Sequence, residues 1–392
     1  MDRSILVIRG DGIGPEAIPE AQRALTVVAR RFGHTFTFEE YEAGGAAIDH
    51  TGSALPESTL AACLTAHSVL LGPVGGPKWD PLPPEKRPER SVLTLRGKMD
   101  LYADLRPIKI FRQLSHTSPL LPQLAAGGID LMLVRELTGG IYYGNQAIEE
   151  RNGRSVASDL MRYDERQIER VARTAFELAK KRRGRVVSVD KSDVLTCSRL
   201  WRQVVHRVAE EEYPTLQISD MLADGLAMQL IRNPWQFDVV LTENLMGDVL
   251  SGEAAMLTGS IGMIPFASVG NSSVGIFGPI HGSAPDIAGQ NIANPIGAIL
   301  SAGMMLRHGF GLLAEAEAVE TAVDKVLDDG YRTVDIMSAG CVPVSCSKMG
   351  ELVAGAILSP QMYRKIARSL PAPAPAAGRK GRSNSSFASE WK

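Results

Sequence analysis

The chain has 392 residues, of which 44% are hydrophobic and 22% charged, with a formal net charge of −2 and a pI near 6.4. That composition suits a soluble globular protein of two domains or one large one, and gives no electrostatic case for nucleic acid or an anionic membrane surface. Four scattered cysteines (Cys63, Cys197, Cys341, Cys346) do not make a disulfide framework, no apolar run reaches transmembrane length, and the first strand begins too soon to leave room for a leader, so a reducing, cytoplasmic setting is expected.

Ile5–Ile8 reads as a strand, followed by Gly10-Asp11-Gly12-Ile13-Gly14-Pro15-Glu16 and a helix to about Phe32. The glycines allow a tight turn, and Pro15 suits a first helical turn. The spacing lacks the third glycine and the later acidic residue of the dinucleotide fingerprint. Val69–Gly72 is a second strand, leading into Gly72–Asp80 (GPVGGPKWD). There Gly75 and Gly76 would let a flat ring or a phosphate approach the backbone; an ordinary surface loop reads the same way.

Arg87–Pro107 is mixed in character and carries Arg96 and Arg106. Arg135 follows the strand Leu131–Val134 directly. Near strand ends, three such planar forks could clamp a dicarboxylate, or each could serve as a surface ion-pair partner. Tyr142, behind Gly139 and Gly140, is either a proton donor or a packed core residue.

Asp164–Arg182 has the clearest helical periodicity, and the strand Val186–Val189 after it ends at Asp190 and Lys191. A lysine at a buried strand end can lose part of its charge and act as a base; a snorkelling lysine is the alternative. Met221–Ile231 (MLADGLAMQLI) is apolar almost all round and should be buried on both sides, which makes Asp224 within it costly unless paired or bound to a cation. Phe237–Leu241 reads as a buried strand, Thr242–Asn244 as a turn, and the chain from Leu245 as a helix with Asp248 in its first turns. Asp248 thus lies at the strand edge where open α/β sheets bind ligands, although an acidic residue there also complements the helix dipole. Phe277–Asn294 sets His281, Asp286 and Asn294 among small residues, a composition that could wrap an adenosine with Asp286 accepting from a ribose hydroxyl. A helix, Pro295–Leu306, follows, and from about Ser369 the composition turns to Pro, Ala, Gly, Ser and basic residues.

In this order, GDGIGPEA, GGPKWD, RELTGGIYYG, SVDK, AMQLIRNP, TEN and HGSAPDIAGQ resemble the isocitrate/isopropylmalate dehydrogenase family over about Ile5–Ile357. The resemblance implies an α/β, isopropylmalate dehydrogenase-like two-domain fold with mixed sheets and no Rossmann fingerprint. Residues 1–105 and 260–368 would form a cofactor-binding domain with both chain ends, residues 106–259 a central substrate, metal and dimerisation domain, and residues 369–392 a disordered tail. It implies NAD-dependent oxidative decarboxylation of a 3-alkylmalate, 3-isopropylmalate first, in a homodimer whose subunits share active sites. Arg96, Arg106 and Arg135 would hold the malate carboxylates, and Glu89, Val92 and Leu93 would meet its variable side chain. Lys191 and Tyr142 would be catalytic. Asp224 of one subunit and Asp248 of the other would bind Mg²⁺ or Mn²⁺. Gly75, Gly76, His281, Gly282, Ser283, Ala284, Pro285, Asp286, Ile287 and Asn294 would contact NAD.

The chain departs from the family pattern at several positions. Gly252 stands where a third metal aspartate is expected, Gly278 in place of a glutamate and Phe277 of a tyrosine. Asp104 replaces an asparagine before LRP, and Gly225 another beside Asp224. Two readings follow: an active dehydrogenase, or a catalytically impaired paralogue serving as a regulatory or binding subunit.

Overall fold

The expected strand–turn–helix start is present as β1 (Asp2–Ile8) and α1 (Gly14–Phe32) in the computed structural model, which describes residues 1–371 apart from Ser273. β2 (Thr35–Tyr41), α2 (Gly45–Thr51), α3 (Glu57–Thr65) and β3 (Ser68–Leu71) follow. Next come α4 (Glu89–Lys98), β4 (Ala103–Lys109), α5 (Pro122–Ala126) and β5 (Asp130–Glu136). An exposed hairpin of β6 (Gln146–Arg151) and β7 (Arg154–Asp159) stands apart from the main sheet. α6 (Glu165–Lys180), β8 (Arg185–Asp190), α7 (Thr196–Glu212) and β9 (Gln217–Leu222) come next, then α8 (Ala223–Arg232), β10 (Val239–Thr242) and α9 (Asn244–Met256). The chain closes with β11 (Pro265–Val269), β12 (Gly275–Pro279), α10 (Ile296–Met304), α11 (Leu313–Asp328), α12 (Cys346–Leu358) and α13 (Pro360–Ala367).

The expected mixed α/β fold is present, with ten strands in one continuous mixed sheet in the order β2-β1-β3-β12-β11-β4-β5-β10-β8-β9. Its outer pairs are parallel; β12–β11, β11–β4 and β4–β5 are antiparallel. β4 joins the two halves, because it pairs with β11 on one side and β5 on the other. Strand alternation sorts the core. Ile5, Val7 and Leu70 enter the main apolar cluster with α1, α10, α11 and α12, whereas Leu6, Ile8, Val69 and Leu71 enter a second cluster with Leu95, Leu101 and Phe266.

Local signals account for the boundaries. Asp164 caps α6 by accepting from the Gln167 amide at 2.9 Å, and the Gln167 side chain accepts in return from the Asp164 N–H at 3.1 Å, a reciprocal capping box. Gly12 adopts φ +58°, and a Cβ there would lie 1.9 Å from the Ser283 carbonyl oxygen, so only glycine lets the first turn meet the loop after β12. The expected apolar helix over Met221–Ile231 is corrected: Met221 and Leu222 finish β9, α8 starts at Ala223, and of its side chains only Leu226 and Leu230 are buried. Asp224 is exposed rather than buried. The disordered-tail expectation falls chiefly on residues 372–392, which lie outside the described residues.

Candidate active site

Three guanidinium groups converge at the centre of the sheet. In the antiparallel β4–β5 pair Asp104 lies opposite Arg135, in the β11–β4 pair it lies opposite Ser268, and Arg106 is two residues further along β4. All four side chains therefore share one face. Arg96 comes from α4, a helix, where a strand end was expected. Arg96, Arg106 and Arg135 are all buried. Buried cations need partners. Arg106 Nε donates to Asp104 Oδ2 at 2.7 Å, and its Nη1 donates to Ser251 Oγ. Arg135 donates from Nε and Nη2 to Asn244 Oδ1 at 3.1 and 2.7 Å and from Nη1 to Asp248 Oδ1. Arg96 Nε donates to Ser268 Oγ at 3.3 Å, and its Nη2 lies 3.8 Å from Asp104 Oδ1. Burial, with Arg106 close by, pushes the Arg135 guanidinium down to about 10, still fully charged at neutral pH.

Asp248 lies where the sequence places it, in the early turns of α9 beyond the end of β10. Glu243 caps that helix, accepting from the Met246 and Leu245 amides at 2.7 and 3.1 Å. The Asp248 carboxylate, 40% exposed, is the group through which this buried cluster reaches solvent. Tyr142 donates its hydroxyl to Asp248 Oδ2 at 3.1 Å. Burial and then the Asp248 charge raise the Tyr142 phenol above its ordinary value, so it keeps its proton at neutral pH.

Lys191 and Asp224 form a second, separate cluster. Lys191 Nζ donates to Asp224 Oδ1 at 3.0 Å and Asp193 Oδ2 at 3.1 Å. Among the described residues no hydrogen bond or ion pair joins it to the arginine cluster. The expectation of a lysine that loses charge by burial is corrected for the single chain. β8 ends at Asp190, and Lys191 lies in the turn beyond it, where Asp224 and Asp193 raise its affinity for a proton.

The loop expected to meet a dinucleotide is built around an acid the sequence reading did not single out. Asp11, buried, accepts from the Gly45 and Ala46 amides at 2.8 Å and from the Gly75 amide at 2.7 Å. It thereby ties the first turn to α2 and to the Gly75–Gly76 loop, while Ile13 N donates to the Ser283 carbonyl at 2.8 Å. Glu89 packs at Gly75, where a Cβ would fall 2.2 Å from its Oε1; Val92 and Leu93 follow on α4, half-buried. His281 is buried, its Nδ1 lies 2.9 Å from the Gly282 carbonyl oxygen, and its Nε2 has no partner among the described residues. Burial holds its imidazole below the ordinary value, hence neutral at pH 7. Gly282, Pro285 and Asp286 are exposed, while Ala284 and Ile287 are half-buried and pack with Ile13. Asn294 is committed inward: its Nδ2 donates to Asp335 Oδ2 at 2.9 Å and its Oδ1 accepts from Ile296 N at 3.0 Å.

These residues fit the groups the family implies. The orphaned His281 Nε2, the open backbone at Gly282 and the exposed Asp286 carboxylate suit a dinucleotide. For Mg²⁺ or Mn²⁺ the donors are hard carboxylate oxygens, as required, but a single chain groups no three candidate ligands among the described residues. Within the chain Asp248 pairs with Arg106, Arg135 and Tyr142, and Asp224 with Lys191, with no shared partner among the described residues. At Gly252, one turn beyond Asp248, a Cβ would meet nothing within 4 Å, leaving room for water. Gly278 differs: a Cβ there would lie 2.1 Å from the Leu71 carbonyl oxygen, so β12 and β3 approach too closely for a side chain.

A family model described as isocitrate/isopropylmalate dehydrogenase matches residues 4–353. The 3-isopropylmalate dehydrogenase of Oleidesulfovibrio alaskensis is 54% identical over 354 residues, 90% of this chain and 99% of its own. That of Helicobacter hepaticus is 52% identical over 358 residues, 91% of this chain and 100% of its own. Among solved structures, isocitrate dehydrogenase from Methylococcus capsulatus superposes with a TM-score of 0.80 at 31% identity, covering 91% of this chain and 100% of that one. A β-decarboxylating dehydrogenase from Thermococcus kodakarensis gives 0.73 at 36% identity, covering 91% and 96%. The match spans the first turn, the arginine-bearing strands, the Lys191 and Asp248 segments and the His281 loop, and the chain belongs to the isocitrate/isopropylmalate dehydrogenase family.

Proposed function

We propose that the chain catalyses NAD-dependent oxidative decarboxylation of a 3-alkylmalate, most closely 3-isopropylmalate, to the corresponding 2-oxo acid. The observation that carries this is the convergence of Arg96, Arg106 and Arg135 beside Asp248 and the protonated Tyr142. The arginines hold and orient the two malate carboxylates. Tyr142 keeps a proton in place for the carbon that loses CO₂. Lys191 hydrogen-bonds the substrate hydroxyl and assists removal of its proton. When bound, NAD accepts the hydride and Mg²⁺ or Mn²⁺ supplies Lewis-acid polarisation of the substrate oxygens. Val92 and Leu93 give the alkyl group an apolar wall, against which the extra carboxylate of isocitrate would be left unpaired.

A homodimer completes the site in this reading. Asp224, Met228 and Ile231 fall at i, i+4 and i+7 on α8, and Val249 and Met256 at i and i+7 on α9. These five side chains are exposed, and the four apolar ones form stripes beside the Asp224 carboxylate, the composition of a buried contact between two copies. The division into residues 1–105 with 260–368 and 106–259, and a cytoplasmic setting, belong to the same proposal. Among the described residues no helix is long and apolar enough to cross a membrane. The impaired-paralogue reading rests on Gly252 and Gly278, and no observation favours it over the active one.

The test is purified protein with NAD and Mn²⁺ across malates bearing different 3-substituents. NADH should appear with 3-isopropylmalate or a close homologue; silence across the panel overturns the proposal.

A further inference from the structure

The arginine cluster holds its own internal anion. Asp104 is fully buried in the central antiparallel strands, fixed by register between Ser268 on β11 and Arg135 on β5. Its Oδ2 accepts from Arg106 Nε at 2.7 Å and its Oδ1 from Ser268 Oγ at 3.0 Å, with Arg96 Nη2 3.8 Å away. Burial alone would raise its carboxyl; Arg106, Arg96 and Arg135 outweigh that and hold it below the ordinary carboxylate range. With three cations and the carboxylates of Asp104 and Asp248, the cluster keeps one formal positive charge.

We infer that Asp104 is a positioning residue that sets the anion capacity of the clamp: it occupies the Nε donor of Arg106, faces Arg96 Nη2, and so restricts the site to dicarboxylates. The inference deepens the proposed activity and rests on its assignment of these arginines to substrate carboxylates. The reasoning is electrostatic. A fixed buried charge acts more strongly on a more highly charged ligand, because each added carboxylate meets the same repulsion at low effective dielectric. It also preorganises Arg106, whose Nε is held by Asp104 while its Nη2 lies 3.5 Å from Asp248 Oδ1.

The test is calorimetric titration of the full-length protein, without NAD or metal, with succinate and with tricarballylate, the matched three-carbon tricarboxylate. Asp104→Asn keeps the shape and an acceptor for Arg106 but removes the charge. Its binding of tricarballylate should tighten about tenfold more than that of succinate, the order of magnitude for one further unit charge roughly 12 Å away at an effective dielectric near 20. A loosened site would weaken both ligands together, so the ratio separates charge from structure. Equal gains, or loss of both, overturn the inference. Should Asp104→Asn not fold, the unaltered protein decides, since it must bind succinate more tightly than tricarballylate, and the reverse order overturns the inference. Neither titration needs turnover. A protein silent with every alkylmalate but showing the ratio change would refute the activity and leave the role of Asp104 standing, and the converse holds equally.

Discussion

Gly252→Asp is the substitution that bears most directly on the divalent cation. Asp248 and residue 252 are four apart on α9, so their side chains lie one above the other on one face. A Cβ at 252 meets nothing within 4 Å, so the new side chain enters without displacing anything. Replacing a mid-helix glycine gains a few tenths of a kcal/mol of helix propensity. The like charge one turn from Asp248 costs a similar roughly 0.2–0.5 kcal/mol. Without metal the two effects nearly cancel, and the melting temperature should stay within a degree or two. With metal the variant gains a carboxylate at the cation. Removing a supporting ligand typically costs about 10–100-fold in affinity, so restoring one should tighten Mn²⁺ binding by about that factor, or roughly 1.4–2.7 kcal/mol. Calorimetric Mn²⁺ titration and thermal melts with and without Mn²⁺, on both proteins in the presence of substrate, measure it. Equal Mn²⁺ affinities, or a large change in metal-free stability, would refute the reasoning.

Three further outcomes are expected. Folding stability should fall as pH drops below about 6.5, because the unfolded His281 imidazole takes a proton there that the buried folded one resists; His281→Gln should flatten that part of the urea-midpoint profile. NAD should bind more tightly than NADP by roughly tenfold, since the exposed Asp286 carboxylate accepts from a ribose hydroxyl and repels a 2′-phosphate, and Asp286→Asn should narrow the gap in fluorescence titrations. Lys191→Ala and Asp248→Asn should each abolish turnover, yet mixing the two unfolded and refolded together should restore about a quarter of native activity, because half the dimers are mixed and each of those carries one intact site. No recovery would mean that each chain holds a complete site of its own.

Local chemistry made much of this architecture legible in the sequence. The strand–turn–helix units at Ile5–Phe32 and Phe237–Met256, and the Asp164 cap with its amphipathic helix, follow from periodicity and turn residues alone. What the sequence left open depends on register. Nothing local says that Asp104 faces Arg135 across one strand pair and Ser268 across another. The Asp11 knot was hidden for the same reason, since its three partners lie 34 to 64 residues away. The Met221–Ile231 segment misled because apolarity on every side reads as burial within a chain. Here Asp224, Met228 and Ile231 are exposed and only Leu226 and Leu230 are buried, which is what a face covered in the proposed homodimer would show in a single chain.

The most direct measurement is the product balance with 3-isopropylmalate, NAD and Mn²⁺. One NADH, one CO₂ and one 2-oxo-4-methylpentanoate should appear per substrate consumed. A product that retains the third-carbon carboxyl group, or no NADH at saturating substrate and metal, would contradict the assignment of this site to oxidative decarboxylation.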